Sequence, residues 1–455
     1  MQHERIHFIG IGGIGVSALA RFYRSRGFRV SGSDLVRSEL TDALRREGMR
    51  ISIGKHRRSH VPSGTTLVIH TNASQKDNPE IQEAKRRGIP IKTYAEALGS
   101  VANEFKGIAI AGAHGKSTTT ALAALTLIRG GLDPTVIVGT KLREFTPPAG
   151  GSNFRRGHSR YFVYEADEYR ASFLNYHPAV AIVTNIDREH LDFYKNIRAI
   201  EAAFLKFLTH LKTSGTAILN RDDIRLRKIA RALRKTRPDC NIMWFSLRDR
   251  SSRALKNALR IPGTHNVSNA LAAFTLGRVL HIPKSKILKA IHAYRGSWRR
   301  FDYQGAFANA KVFADYAHHP TEIKATLQAA REKFPKSKIW CVFQPHHYER
   351  TRGLYPDFVK AFDGCDRLIL LDIYEVAGRE RTLGRRGAGL AQKHGEITSK
   401  LLARAISRRG ISAEYLKATE LKTHLSRHLK HGDVLLMMGA GTIWDMTKQL
   451  LKARF

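Results

Sequence analysis

The run Ala111-Gly-Ala-His-Gly-Lys-Ser-Thr-Thr-Thr120 has the residue types that a nucleoside triphosphate requires. Backbone N–H groups along Gly112, Ala113, His114 and Gly115 can cradle phosphates, and Lys116 can reach the β and γ groups. The Ser117 hydroxyl, followed by Thr118, can ligate Mg²⁺. The loop is shorter than G-x-x-x-x-G-K-[ST], because Ile110 stands where its first glycine would be. A second candidate is Tyr161-Phe-Val-Tyr-Glu-Ala-Asp-Glu168, with three acids in its last four residues although acids are scarce in the chain. Carboxylates beside a phosphate loop suit Mg²⁺, which takes one or two of them together with phosphate oxygens. The third is Thr184-Asn-Ile-Asp-Arg-Glu-His-Leu-Asp192, where His190 lies among acids and is a metal or phosphate candidate. The fourth is Gly10-Ile-Gly12-Gly13-Ile-Gly15, a G-x-G-x-x-G whose glycines let backbone approach a pyrophosphate. Asp34 falls about where a ribose-binding acid belongs, so a dinucleotide is the default ligand and a ligand-free tight turn the plain alternative.

Each motif needs a strand before it and a helix after it. Ile6–Ile9 reads as a strand, the Gly-rich turn follows, and a helix runs through Arg26. Strands at 29–31, 66–70 and 90–92 alternate with helices at 41–47 and 78–87. A second unit begins with the strand 107–111 and continues with strands near 135–138, 161–165 and 179–184. A third unit starts after Trp298 with strand 311–314, helix 321–331, strand 338–343, helix 352–362 and strand 367–372. It closes with strand 434–438 and the turn Gly439-Ala-Gly441. The alternation predicts three α/β domains with mostly parallel sheets: Rossmann-like at the N-terminus, a central P-loop-type ATPase domain, and Rossmann-like again at the C-terminus. The expected boundaries give domains 1–103, 104–297 and 298–455.

The chain has 455 residues, 77 Lys+Arg against 39 Asp+Glu, and a formal net charge of +38. A hydrophobic fraction of 42% supports packed cores and excludes wholesale disorder. The 3 Cys are odd in number and widely spaced, which excludes a disulfide scaffold and fits a reducing cytoplasm. No apolar run reaches the ~18 residues of a membrane span. Basic clusters at 21–29, 85–87, 225–237, 299–300 and 379–386 are spread through every third of the chain, with no zinc-finger, RRM or basic-region pattern. No dedicated nucleic-acid partner is expected, although a basic nucleic-acid-binding NTPase stays open as a reading of another class. A positive field would also draw in a polyanionic small substrate.

These motifs continue in a fixed order. His265-Asn-Val-Ser-Asn269, Arg299-Arg-Phe301, Asp315-Tyr-Ala-His-His-Pro320 and Phe343-Gln-Pro-His346 follow the four segments above. The whole series, from residue 6 to about 446, resembles the Mur ligases. The resemblance implies an ATP-dependent amide-forming ligase of peptidoglycan precursor synthesis, with UDP-N-acetylmuramate and L-alanine as substrates and Mg²⁺ as cofactor. Gly10, Gly12, Gly13 and Gly15, with Asp34, would then serve UDP rather than a nicotinamide dinucleotide. Ser117 and Glu165 would hold one Mg²⁺, and Glu165 and His190 a second. His265, Asn266 and Asn269 match the stretch at the adenine end, while Arg300 and Asp315 match third-domain residues that reach ATP. His346, His347 and Arg350 match the segment that receives the amino acid. Lys116, Glu165, His190 and Arg300 would carry catalysis. Relative to the family pattern, Ser117 replaces Thr, Tyr169-Arg170 replaces Ser-Asp, His347 replaces Arg, and Thr442 replaces an acid. A tripeptide-recycling ligase of the same nucleotide sugar stays open.

Overall fold

The computed structural model describes residues 4–75, 77–145, 151–191, 193–375 and 397–452. The basic run 379–386 and Asp192 therefore lie outside the described residues.

Three α/β sheets organise the chain. The first contains β1 (Arg5–Ile9), β2 (Arg29–Asp34), β3 (Arg50–Ile53), β4 (Thr65–His70) and β5 (Ile91–Thr93), in the order β3-β2-β1-β4-β5 and all parallel. The strand order reverses at β1, and the crevice beyond the carboxyl ends at such a point is where open α/β sheets bind ligands. The turn Gly10–Gly13 leaves β1 there, before the helix Ile14–Ser25.

The second sheet holds β6 (Lys106–Ala111), β7 (Thr135–Leu142), β8 (Ser152–Arg155), β9 (Tyr161–Glu165), β10 (Val180–Val183), β11 (Thr216–Asn220) and β12 (Asn241–Phe245). Its order is β12-β11-β10-β6-β9-β7-β8, parallel except for the last pair. The third sheet holds β13 (Asp302–Phe307), β14 (Ala310–Asp315), β15 (Ile339–Phe343), β16 (Arg367–Leu370), β17 (Ser412–Tyr415) and β18 (Val434–Met438). Its order is β13-β14-β18-β15-β16-β17, with β13 antiparallel. Central strands such as Val180–Val183 and Val434–Met438 are buried along their whole length, as parallel strands covered on both faces must be.

The chain divides into two compact units. One comprises Met1–Glu189, Asn196–Ala258 and Ser268–Tyr294, and so contains the first two sheets; the other comprises His190–Lys195, Leu259–Val267 and Arg295–Phe455. Inside the first unit, the helix Ile14–Ser25 packs on β7 and β8. Buried Asn153 donates to Ser17 Oγ at 2.8 Å and to the carbonyl of Ile14, and Phe22 meets Phe154 edge-on at 6.3 Å.

The expected helix 352–362 is instead two short helices, Tyr348–Gly353 and Tyr355–Val359. Pro356 accounts for the break: it lacks an N–H and is at ease in a first turn, where it opens the second helix. Edge strands β8, β13 and β17 carry no apolar run because one side of each is polar or exposed, and β12, although its run Ile242–Phe245 is apolar, was not among the expected strands either.

Candidate active site

The second glycine loop joins β6 to the helix Lys116–Gly130. Gly112 and Gly115 have φ of +131° and +82°, a region that favours glycine. A Cβ at Gly112 would overlap the Thr184 hydroxyl, and one at Gly115 would overlap the Asn269 side chain. The segment after β10 pins this loop. Thr184 Oγ1 donates to the His114 carbonyl at 2.6 Å, Asn185 Oδ1 accepts from His114 N–H at 2.9 Å, and the Asn185 carbonyl accepts from Ala113 N–H at 3.1 Å. The N–H groups of Ala113 and His114 are thus engaged within the protein. The first turn of the following helix, Lys116 to Thr118, presents N–H groups that have no acceptor inside a helix, and it starts without an acidic residue. That helix start is where an anion fits.

Lys116 Nζ donates to Glu168 Oε2 at 2.9 Å and to the Gly112 carbonyl at 2.6 Å. Burial alone would lower its pKa, but Glu168, Asp167 and Glu165 together push it above the usual lysine range, so it stays an ammonium. Glu165 ends β9, and one of its oxygens accepts from Gly139 N–H of β7 at 2.6 Å. A Cβ at Gly139 would lie 2.7 Å from Glu165 Oε2. His114 Nε2 and Asp187 Oδ2 are 2.9 Å apart. Glu168 of the acidic run thus pairs with Lys116, and Asp187, Asn185 and Gly139, to which the sequence pattern gave no role, join the loop. A glycine inside a strand was the available signal for Gly139. Tyr94 is a further addition: its hydroxyl lies 2.7 Å from where a Cβ on Gly15 would be, and its pKa is raised by burial and by the charges of Glu165 and Asp167.

At the first loop, Gly10 N–H and Ile11 N–H donate to the Ser33 carbonyl at 2.9 and 3.0 Å, and Gly12 N–H donates to Asp34 Oδ2 at 2.8 Å. Asp34 Oδ1 accepts from Val36 N–H at 3.2 Å. The acid expected at a ribose is here a brace for the loop itself. The helix after Gly13 has no side-chain cap and no acid in its first turn, which leaves its positive end for a ligand phosphate.

Other expected residues fall in the second unit. His265 is the second residue of the helix Thr264–Val279 and is exposed to solvent, with the charge of Arg300 acting to lower its pKa. Asn266 donates to the Pro262 carbonyl at 2.6 Å. Asn269, one turn on, belongs to the first unit, and its Oδ1 accepts from Thr119 Oγ1 at 3.2 Å. The structure thus brings Asn269 to the phosphate loop and gives the Asn266 amide to its own turn. Arg300 faces Glu322 at 3.5 Å and lies over the Tyr316 ring at 5.2 Å. Asp315 accepts from the N–H groups of Phe301 and Ala317, both at 2.7 Å, and burial raises its pKa against the opposing charge of Arg300. Arg350 Nη1 lies 3.3 Å from His346 Nδ1, and the His346 ring stacks on Tyr374 at 5.5 Å. His347 holds φ of +72° and donates its N–H to the Tyr374 carbonyl. His190 follows β10 with φ of +55°, in the short segment assigned to the second unit.

A mostly parallel sheet that delivers a glycine loop, a half-buried ammonium and a row of carboxylates to its carboxyl end defines a nucleotide-binding α/β enzyme. Comparison with known proteins narrows the class. The Mur ligase family catalytic domain matches residues 5–106, the Mur ligase middle domain 110–277, and the Mur ligase glutamate ligase domain 299–441. A UDP-N-acetylmuramate–L-alanine ligase of Alkaliphilus metalliredigens is 39% identical, over 99% of this chain and 97% of its own. One from Clostridium acetobutylicum is 38% identical, over 98% and 97%. The crystal structure of the UDP-N-acetylmuramate–alanine ligase of Thermotoga maritima superposes with a TM-score of 0.79 at 27% identity, covering 99% of each chain. The chain belongs to the Mur ligase family.

Proposed function

We propose that this protein uses ATP to join L-alanine to the lactyl carboxylate of UDP-N-acetylmuramate, in the cytoplasm, as a step of peptidoglycan precursor synthesis. The observation that carries the reading is Lys116, an ammonium held among carboxylates at the start of a phosphate-loop helix, in a chain nearly co-extensive with ligases of that name. A carboxylate is a poor acylating agent, and phosphorylation gives it a leaving group. A lactyl oxygen attacks the γ-phosphorus and ADP departs, leaving an acyl phosphate. The alanine nitrogen then attacks that carbonyl, phosphate departs, and the nitrogen loses a proton.

Anion meets anion in the first step, so positive charge must be in place beforehand. Lys116 would exchange its bonds to Glu168 and the Gly112 carbonyl for the β- and γ-phosphate oxygens. Arg300 would add a second cation. Ser117, Glu165 and His190 would hold Mg²⁺; a hydroxyl and a carboxylate at the end of a sheet are hard oxygen donors of the kind that ion takes. When bound, Mg²⁺ would offset charge on the phosphates. The helix start at Ile14, braced by Asp34 and Ser33, would take the UDP pyrophosphate. His265, Asn266 and Asn269 would line the adenine end, with Asp315 beside Arg300. Arg350, next to His346 and His347, would pair with the alanine carboxylate, where a planar guanidinium fits. In this scheme residues 1–103 serve the nucleotide sugar, 104–297 ATP, and 298–455 the amino acid.

Phosphate release with ATP, UDP-N-acetylmuramate and each amino acid in turn tests the assignment. Release that depends on both the nucleotide sugar and L-alanine supports it. Preference for the tripeptide over L-alanine in competition would instead make the protein a recycling ligase. Stimulation by RNA or DNA without the nucleotide sugar would overturn ligation altogether.

A further inference from the structure

Beneath the first glycine loop lies a polar cluster in the core of the first sheet. Glu80, in the helix Pro79–Arg86, is completely buried, and its carboxylate accepts four hydrogen bonds. His7 Nε2 of β1 approaches Oε2 at 2.7 Å, and Ser33 Oγ of β2 donates to the same oxygen at 2.8 Å. His56 and His60, from the segment between β3 and β4, approach Oε1 through Nδ1 at 2.7 and 3.2 Å. Burial would raise the pKa of this acid, but the bonds from His56 and His7, the charge of His7 and the Ser33 hydroxyl outweigh it and lower it to about 2. Glu80 is therefore a carboxylate that ties together two strands, a helix and a connecting segment.

A packing role alone could be filled by an apolar side chain, because ionic groups in a core add little net stability. The reach of Ser33 suggests another task. Ser33 and Asp34 are neighbours on a strand, so their side chains leave on opposite faces. The Ser33 hydroxyl goes to Glu80, its carbonyl holds the N–H groups of Gly10 and Ile11, and Asp34 holds that of Gly12. Three consecutive N–H groups of the loop thus depend on where the end of β2 sits. We infer that Glu80 is a positioning residue for the nucleotide-sugar loop, acting through Ser33 to set the geometry of Gly10 and Ile11. The inference rests on the reading of that loop as the UDP-sugar site.

Glu80→Gln keeps the shape of the side chain but turns one accepting end into a donor that faces N–H or O–H groups. The expected result is a KM for UDP-N-acetylmuramate at least about tenfold higher, with kcat and the KM for ATP within about twofold, because misplacement of a binding loop acts on the ligand it holds. Val68→Ala, a core truncation in the same sheet, serves as the control for lost stability and should lower the melting temperature without that split. Should Glu80→Gln fail to fold, Ser33→Ala removes the hydroxyl link and should raise the same KM by about threefold or more. An unchanged KM in the folded variant, or an equal rise in Val68→Ala, overturns the inference. Hydrogen exchange in the unliganded protein separates this from failure of the loop reading. If the wild-type protein does not bind UDP-N-acetylmuramate, faster exchange at Gly10 and Ile11 in Glu80→Gln or Ser33→Ala still supports the positioning role, and unaltered exchange there overturns it.

Discussion

At Gly10–Gly15 a ligand phosphate would meet the start of a helix, while Asp34, the charged side chain that reaches the turn, is an acid already bonded to Gly12. At Gly112–Thr118 the same strand–loop–helix geometry carries Lys116, surrounded by Glu168, Asp167 and Glu165. The first arrangement suits a diphosphate that is bound and released unchanged, since partial charges on a rigid loop give orientation without strong electrostatic bias. The second suits a phosphoryl group whose charge redistributes during reaction, where a full cation in a partly desolvated site has most effect. Glycine serves different ends as well. Gly12 makes room for a carboxylate that braces the loop, whereas Gly112 and Gly115 adopt positive φ and make room for Thr184 and Asn269.

The contrast predicts a graded set of responses. Lys116→Ala should reduce kcat by at least ~10²-fold, the scale of removing a group that stabilises developing charge. Its affinity for UDP-N-acetylmuramate should stay intact; near-normal turnover would place the charge of the second loop elsewhere. Gly139→Ala comes next, because its Cβ would crowd Glu165 at 2.7 Å and displace the carboxylate. A fall in kcat of roughly tenfold is expected, equivalent to about 1.4 kcal/mol, with the KM for the nucleotide sugar unmoved. Steady-state kinetics with varied Mg²⁺ would check it.

Gly12→Ala probes the other loop. Its Cβ would sit 2.9 Å from Asp34 Oδ2, so the brace must shift. We expect the KM for UDP-N-acetylmuramate to rise by roughly fivefold while kcat and the KM for ATP hold, the pattern of lost uniform binding. A fall in kcat instead would mean that the first loop also contributes to the chemical step, and the contrast would collapse.

The smallest effect concerns the helix that carries Asn269, through its second residue, His265. The charge of Arg300 acts to hold the pKa of His265 below its ordinary value near 6.5. The unfolded chain therefore binds a proton more readily than the folded one, and stability falls as pH drops below that ordinary value. Solvent screening at this exposed side chain keeps the loss small, and His265→Gln should remove it from the pH dependence of urea midpoints. An identical slope in the variant would return His265 to an ordinary titration.

Much of the molecule was legible from residue order. Both glycine loops fall between a strand and a helix as read, since glycine spacing and apolar runs are local properties. Short edge strands and the break at Pro356 were not, because half-exposed strands lack an apolar signature and a proline tolerated in one helical register begins a new helix in another. In the site, Lys116 and the acids of 165–168 could be picked out from type and proximity. Their pairings could not: which of three neighbouring carboxylates meets Lys116 depends on strand twist and side-chain direction, and Glu168 holds that place.

The local order of the chain was enough to determine the class of fold, the two glycine loops and the family, because each is written in short segments whose residues act as neighbours. What bonds to those loops was decided by the tertiary structure alone. Asn185 lies more than seventy residues from His114, Asn269 lies 150 from Thr119, and Glu80 lies 47 from Ser33. Contacts at such separations leave no periodicity in the sequence. They exist because parallel strands, each followed by a helix, deliver distant residues to the same end of a sheet, where turns and hydrogen bonds rather than sequence spacing choose the partners.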